Sequence, residues 1–301
     1  MRIRKLALGK LSLLLAVGLL PLLAAGCSVE REWVTSRDPL EAEAQEEARE
    51  QAAFFQIEGD PELDAAAREY QKYVDRQSDL LVDRTEGFTA AVEAGDLEKA
   101  RDLYASSRIP WERIEPIAEK FGNLDPEVDA REGDVPQARW TGFHRLEKAL
   151  WVENTTVGQE KYTEELVSDV ERLQREVDNV RLQPSDPVFG AVELLNEVSA
   201  TKITGEEERY SHADLYDIAA NVEGAEVAFN FVRPAVESQD PELVAEIEGA
   251  FGDVYDEIEP YRRGDGWASY EAVDENGRRQ LSQKIDALAE PLSRVGRVLT
   301  S

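Results

Sequence analysis

Apolar residues recur along most of this chain at alternating steps of four and three, the spacing at which one face of an α-helix returns. In the stretch from Tyr162 they fall at Tyr162, Leu166, Val170, Leu173, Val177 and Val180. The C-terminal stretch repeats the pattern at Leu281, Ile285, Leu288, Leu292, Val295 and Leu299, with Pro291 expected to bend or break it. Residues 61–93, 97–121, 138–152, 186–203, 213–237, 241–262 and 271–280 read the same way. Asp60-Pro61, Asp186-Pro187 and Asp240-Pro241 place an Asp where an N-cap is wanted and a Pro in the first turn, where its missing N–H is no loss. Runs of β-branched residues in strict alternation are absent, so the expected fold is all-α, built from long antiparallel helices.

An internal repeat divides these helices. Sliding the chain by 144 residues aligns DLEKARDLYASSRIPWERIEP (96–116) with DPELVAEIEGAFGDVYDEIEP (240–260) without a gap. Five of 21 positions are identical, among them Ile114-Glu115-Pro116 against Ile258-Glu259-Pro260, which favours a tandem helical duplication over shared composition. The expected halves are two bundles, 60–185 and 186–301.

The first 59 residues follow different rules. MRIRKLALGK is basic, LSLLLAVGLLPLLAA is apolar, and Leu23-Ala24-Ala25-Gly26 leads into Cys27, which is the order of a removable secretory signal over residues 1–26. Residues 27–59 are acidic with scattered apolar groups, the composition of a solvated tether. The whole chain has 34 Lys and Arg against 63 Asp and Glu, a net charge of −29. Losing Arg2, Arg4, Lys5 and Lys10 with the signal makes it −33. Such a charge excludes a nucleic-acid binder. One Cys and two His exclude a disulfide framework and a Cys-rich metal site, so a hard-metal site has to rely on carboxylates.

The informative chemistry begins at WTGFHRLEKALW (140–151). His144 and Glu147 are three apart, so on a helix both project from one face and can share a metal ion, iron or zinc by the chemistry of the donors. Taken alone, H-x-x-E is more readily a histidine paired with a neighbouring Glu. Glu112 and Glu115 are also three apart, Glu119 follows, and the DPEVD turn (125–129) adds acids before a returning helix. An antiparallel return sets Glu112 and Glu115 across from His144 and Glu147, and anions gathered in a partly dry bundle require a cation or protons. The competing reading is a solvated acidic face. His212 is expected at the start of a helix in a structural role, because Asp256 and Glu259 repeat the acid pair without an H-x-x-E partner.

Three blocks together resemble a known family: WERIEPIAE with LDPEVDARE (111–132), WTGFHRLEKALW, and ITGEEERYSHADL (203–215). From roughly residue 60 to the end, the chain resembles the imelysin-type domain of bacterial iron-uptake lipoproteins of the EfeO/EfeM family, whose G-x-H-x-x-E motif is matched by Gly142, His144 and Glu147. The resemblance implies two related four-helix bundles and metal ligands at Glu112, Glu115, Asp129, His144 and Glu147. It implies iron as Fe2+ or Fe3+, with zinc or copper also within reach of the donors. It implies a lipid anchor at Cys27, although Ala24 stands where Leu is commonest, and a place outside the cytoplasmic membrane. An iron permease and a haem peroxidase of the dye-decolourising type are the implied partners. Longer family members carry a cupredoxin domain for which residues 27–59 are too few and too acidic, so this chain resembles the short form, and a copper or ferroxidase function tied to that domain is not carried over to it. The expected role is capture and delivery of iron without catalysis. Two alternatives are an imelysin-type metallopeptidase, disfavoured by the absence of H-E-x-x-H, and an anionic-polysaccharide binder, disfavoured by the charge.

Overall fold

The computed structural model describes residues 60–122 and 124–300, apart from the side chain of Glu119. The expected signal, the lipidation site Cys27 and the acidic tether lie outside the described residues. Among the described residues the α-helices are α1 (Pro61–Glu93), α2 (Leu97–Ile114), α3 (Leu124–Asp129), α4 (Phe143–Trp151), α5 (Glu160–Asn179), α6 (Asp186–Ala200), α7 (Asp214–Gln239), α8 (Pro241–Ile258), α9 (Glu275–Ser293) and α10 (Val295–Leu299). The strands among the described residues are a single two-residue hairpin, Arg262–Arg263 against Gly266–Trp267. The fold is all-α, as the periodicity predicts.

The stripes read from the sequence are the buried faces. Leu166, Val170, Leu173 and Val177 of α5 and Leu281, Ile285, Leu288 and Leu292 of α9 are all buried, each side chain contributing about 1.5–3 kcal/mol through the apolar area it removes from water. α9 continues through Pro291, and the break falls between Ser293 and Val295. α1 packs against α2 and α5, α2 against α7, α6 against α7 and α9, and α8 against α7 and α9. One continuous apolar core runs from Leu81, Phe88 and Ile114 through Phe229 to Ile247 and Leu288.

Caps follow the sequence at two of the three Asp-Pro starts. The Asp60 carboxylate accepts from the N–H of Glu62 at 2.8 Å and of Leu63 at 3.2 Å, and Asp240 accepts from the N–H of Leu243 at 2.9 Å. Asp186 departs from this pattern. It is the first residue of α6, and its carboxylate turns back to the N–H of Gln183 at 2.8 Å and to Lys120 at 2.8 Å.

Two glycines fix the segment after α2, where the helix tightens into a 3-10 turn over Glu115–Phe121. A Cβ on Gly190 of α6 would lie 1.6 Å from the carbonyl oxygen of Pro116, and one on Gly224 of α7 would lie 2.4 Å from that of Arg113. Backbone therefore meets backbone on both sides of the residues that carry Glu112 and Glu115.

Candidate metal centre

α4 starts hard against α3. Gly142 has a φ of +84°, and a Cβ there would lie 2.3 Å from the carbonyl oxygen of Val128, so a side chain is excluded both by backbone conformation and by space. This contact seats His144 beside Asp129, the last residue of α3. His144 Nε2 is 3.5 Å from Asp129 Oδ1, while Nδ1 is 3.3 Å from Glu147 Oε2 and 3.8 Å from Glu208 Oε1. The i, i+3 pair thus forms as its spacing predicts. Glu147 is held from behind by the backbone N–H groups of Tyr210 at 2.9 Å and Ser211 at 2.7 Å. Tyr104 of α2 donates its hydroxyl proton to Glu208 at 3.1 Å, and its ring packs with Phe88, Phe143 and Trp151 to keep water from this side.

Two sets of donor atoms converge closely enough to hold one cation each: Asp129, His144 and Glu207, and His144, Glu147 and Glu208. Carboxylate oxygens with one imidazole suit a hard or borderline first-row ion. Asp214 Oδ2 and Asp217 Oδ1 nearby are buried without a hydrogen-bond donor, and burial raises both carboxyls, Asp214 to about 6 and Asp217 well above the usual carboxylate range.

Glu112 and Glu115 are also at this centre but do not face the imidazole. The fully buried Arg108 bridges the two sides, pairing with Glu112 at 2.5 Å, with Glu208 at 2.7 Å, with Asp217 at 3.3 Å and with Asp129. Beyond it, Lys202 Nζ lies 3.2 Å from Glu112 Oε2, 2.8 Å from both oxygens of Glu115 and 3.6 Å from Glu207 Oε1. Asn221 donates to Glu112 at 3.0 Å and to Glu115 at 2.8 Å. The expected arrangement, Glu112 and Glu115 directly opposite His144, is corrected: two internal cations stand in the acidic cluster, because carboxylates this deep are costly without positive partners. Carboxylates still dominate. Glu112, Glu115, Asp129, Glu147, Glu207, Glu208, Asp214 and Asp217 are twice as many as Arg108, Lys202, Arg131 and a protonated His144.

These neighbours set the proton inventory. Burial and Arg108 oppose charge on His144, but hydrogen bonds to Asp129 and Glu147 outweigh them and lift its pKa to about 10. Burial works against ionisation of Asp129 and Glu147 too. Arg108 and His144 nevertheless hold Asp129 far below the carboxylate range, and His144 with the Ser211 and Tyr210 amides lowers Glu147. Burial and the charge of Glu147 push Glu208 up to about 8. Burial likewise raises Glu115, further pushed by Glu112 although Lys202 opposes it, whereas Lys202 and Arg108 overcome burial to lower Glu112. Near neutral pH, His144 and Glu208 therefore hold protons that an incoming metal ion has to displace.

His212 lies apart from this cluster. It precedes α7 with a φ of +57°, its carbonyl accepts from the N–H of Tyr270 at 2.8 Å, and its Nε2 is 3.9 Å from Glu271. Asp256 and Glu259 are exposed. Sequence reasoning missed Glu207, Glu208, Lys202, Arg108, Asp217 and Tyr104. A signal for two of them exists in Glu206-Glu207-Glu208, three consecutive acids inside a block that carries the family resemblance without fitting a helix face.

The imelysin family model matches residues 66–295. An EfeM/EfeO-family lipoprotein of Staphylococcus haemolyticus is 42% identical over 241 residues, covering 77% of this chain and 83% of the relative. The iron uptake system component EfeO of Escherichia coli K12 is 45% identical over 241 residues, covering 79% of this chain and 64% of the relative, and its Shigella flexneri counterpart matches equally. The chain thus spans just under two thirds of the length of these EfeO proteins.

Proposed function

This chain belongs to the imelysin family as an EfeO/EfeM-like member, and from that premise we propose that it captures iron outside the cytoplasmic membrane and passes it to an iron permease. A haem peroxidase of the dye-decolourising type is the further partner on this reading. The observation that carries it is a single buried imidazole with carboxyl groups at both nitrogens, inside a cluster in which carboxyl groups outnumber basic side chains. Asp129, His144 and Glu147, joined by Glu207 and Glu208, are the ligands on one side, and Glu112 and Glu115 add oxygens on the other. Oxygen donors with one imidazole suit iron, and the negative field of the whole protein raises the local cation concentration.

Capture and release need no bond making, so the protein acts without catalysis. Removal of residues 1–26 and lipidation of Cys27 anchor it, residues 27–59 give it reach, and residues 60–185 and 186–301 form two related bundles. No helix among the described residues is long and apolar enough to cross a membrane.

Titration of the mature protein with Fe2+ under argon, and with chelated Fe3+ in air, tests the reading. His144→Ala and Glu147→Ala are expected to weaken binding about tenfold to a hundredfold, as disruption of a metal's ligand set does. Unchanged affinity in both variants counts against it. Incubation with unfolded protein and zinc is expected to give no chelator-sensitive cleavage, and cleavage would replace capture with peptidase chemistry. Cys27→Ser is expected to release the protein from membranes.

A further inference from the structure

Lys202 is 1% exposed, yet its ammonium sits where three carboxylates converge, 3.2 Å from Glu112 Oε2, 2.8 Å from both oxygens of Glu115 and 3.6 Å from Glu207 Oε1. Those are the surroundings of a hard cation, filled by a side chain. We propose that Lys202 is a built-in counter-ion, holding the Glu112, Glu115 and Glu207 position in the iron-free protein and leaving it when an ion of charge two or more arrives. This inference rests on the iron-capture reading and specifies how that site is kept ready and what it admits.

Electrostatics gives the direction. At equal distances a divalent ion gains twice the Coulomb attraction that an ammonium gains from the same carboxylates, and a trivalent ion three times. A monovalent ion gains no such advantage, so the lysine filters by charge. Without it, Glu112 and Glu115 would be anions crowded in a dry interior, and the empty site would be unstable.

The ammonium also has somewhere to go. Lys202 opens the 3-10 turn Lys202–Thr204, directly after α6. Glu115 forms part of the wall of a cleft of about 400 Å³, whose other acids include Asp125 and Glu197. Asp125 already feels the charge of Lys202. A swing of the lysine stem would carry the ammonium toward these acids. Glu207, whose Oε1 lies 3.6 Å from Lys202 Nζ, also belongs to the donor set around His144, so the lysine and the imidazole side share one carboxylate.

Accessibility of the amine reads this directly. The mature protein is treated briefly with an acetylating N-hydroxysuccinimide ester, with and without saturating Fe2+ chloride under argon, and acetylation at each lysine is measured by mass spectrometry. Lys202 is expected to be protected without iron and in excess Na+, and to become acetylated with iron. Lys72 and Lys161, both exposed, should react alike throughout. Continued protection of Lys202 when iron is bound overturns the proposal and leaves the capture reading standing, whereas absence of iron binding removes both. Acetylation of Lys202 in Na+ alone overturns the charge filter. In Lys202→Met, loss of the internal competitor should tighten Fe2+ binding about tenfold, since the binding-competent state is no longer a minor one. Unchanged or weaker binding in a folded Lys202→Met protein also overturns it.

Discussion

Residues 96–116 and 240–260 begin alike and end alike. In each, an Asp side chain caps an 18-residue helix, Asp96 on the N–H of Lys99 and Asp240 on that of Leu243, and Ile-Glu-Pro then leads into a 3-10 turn. Between these shared ends the chemistry diverges. The first segment buries Arg108 and Glu112, whereas the second has exposed Gly252 and Asp256 at the matching positions. Tyr104, which donates to Glu208, is matched by Glu248, which pairs with Arg233 near the surface. One backbone plan therefore serves as the wall of a polar centre in one half and as an ordinary amphipathic helix in the other. The difference turns on whether a guanidinium is present to let carboxylates enter the interior.

The sharpest way to break this comparison is to remove that guanidinium. Arg108→Met leaves the carboxylates of Glu112, Asp129, Glu208 and Asp217 without their shared partner, and urea denaturation is expected to show a loss of about 3–5 kcal/mol. A loss under 1 kcal/mol would mean that the cluster does not depend on Arg108.

The matched acids come next. Glu112→Gln should weaken iron binding about tenfold, a typical effect of altering a metal's surroundings, while Asp256→Asn should leave the titration unchanged.

Proton linkage separates the halves again. The pKa of His144 in the fold, about 10, lies above its ordinary value, so its contribution is complete below that ordinary value and disappears as pH rises toward 10. Glu208, pushed up to about 8, favours the fold when neutral and loses that advantage over a lower window, as pH rises from the ordinary carboxylate range through about 8. The iron-free protein is therefore expected to melt at a lower temperature at pH 9 than at pH 6. His144→Gln should flatten the slope. Iron binding at pH 7 should release protons, visible in calorimetry as a heat that depends on the buffer.

The smallest effects test what the two segments share. Asp96→Ala and Asp240→Ala should each cost about 1 kcal/mol, the usual worth of an N-cap, and a large inequality between them would break the likeness. Gly252→Ala, with nothing within 4 Å of the added carbon, should stabilise the exposed helix by about 0.5–1 kcal/mol.

The helices were legible because burial imposes a period, and α5 and α9 show it at nearly every predicted position. The pair of His144 with Glu147 was legible for the same reason, since three residues on a helix fix a direction. Asp186 was misjudged because Lys120, 66 positions away, competes for its carboxylate. The opposed placement of Glu112 and His144 failed in a comparable way: a sequence shows which anions are near one another in order, but Arg108 looks like any polar residue of an amphipathic helix and Lys202 comes from the other half of the chain. Counting acids exposed the charge problem without revealing that the protein carries part of the solution itself.

To a geneticist, Gly190 and Gly224 would look like ligand positions. Neither has a side chain, yet replacing the hydrogen of either with a methyl group would push Pro116 or Arg113 aside and carry Glu112 and Glu115 off their marks. A screen for strains that no longer accumulate the metal should therefore recover alleles at 190 and 224, in α6 and α7, and a map drawn from phenotype alone would enlarge the apparent site into helices that contribute no carboxylate from those positions.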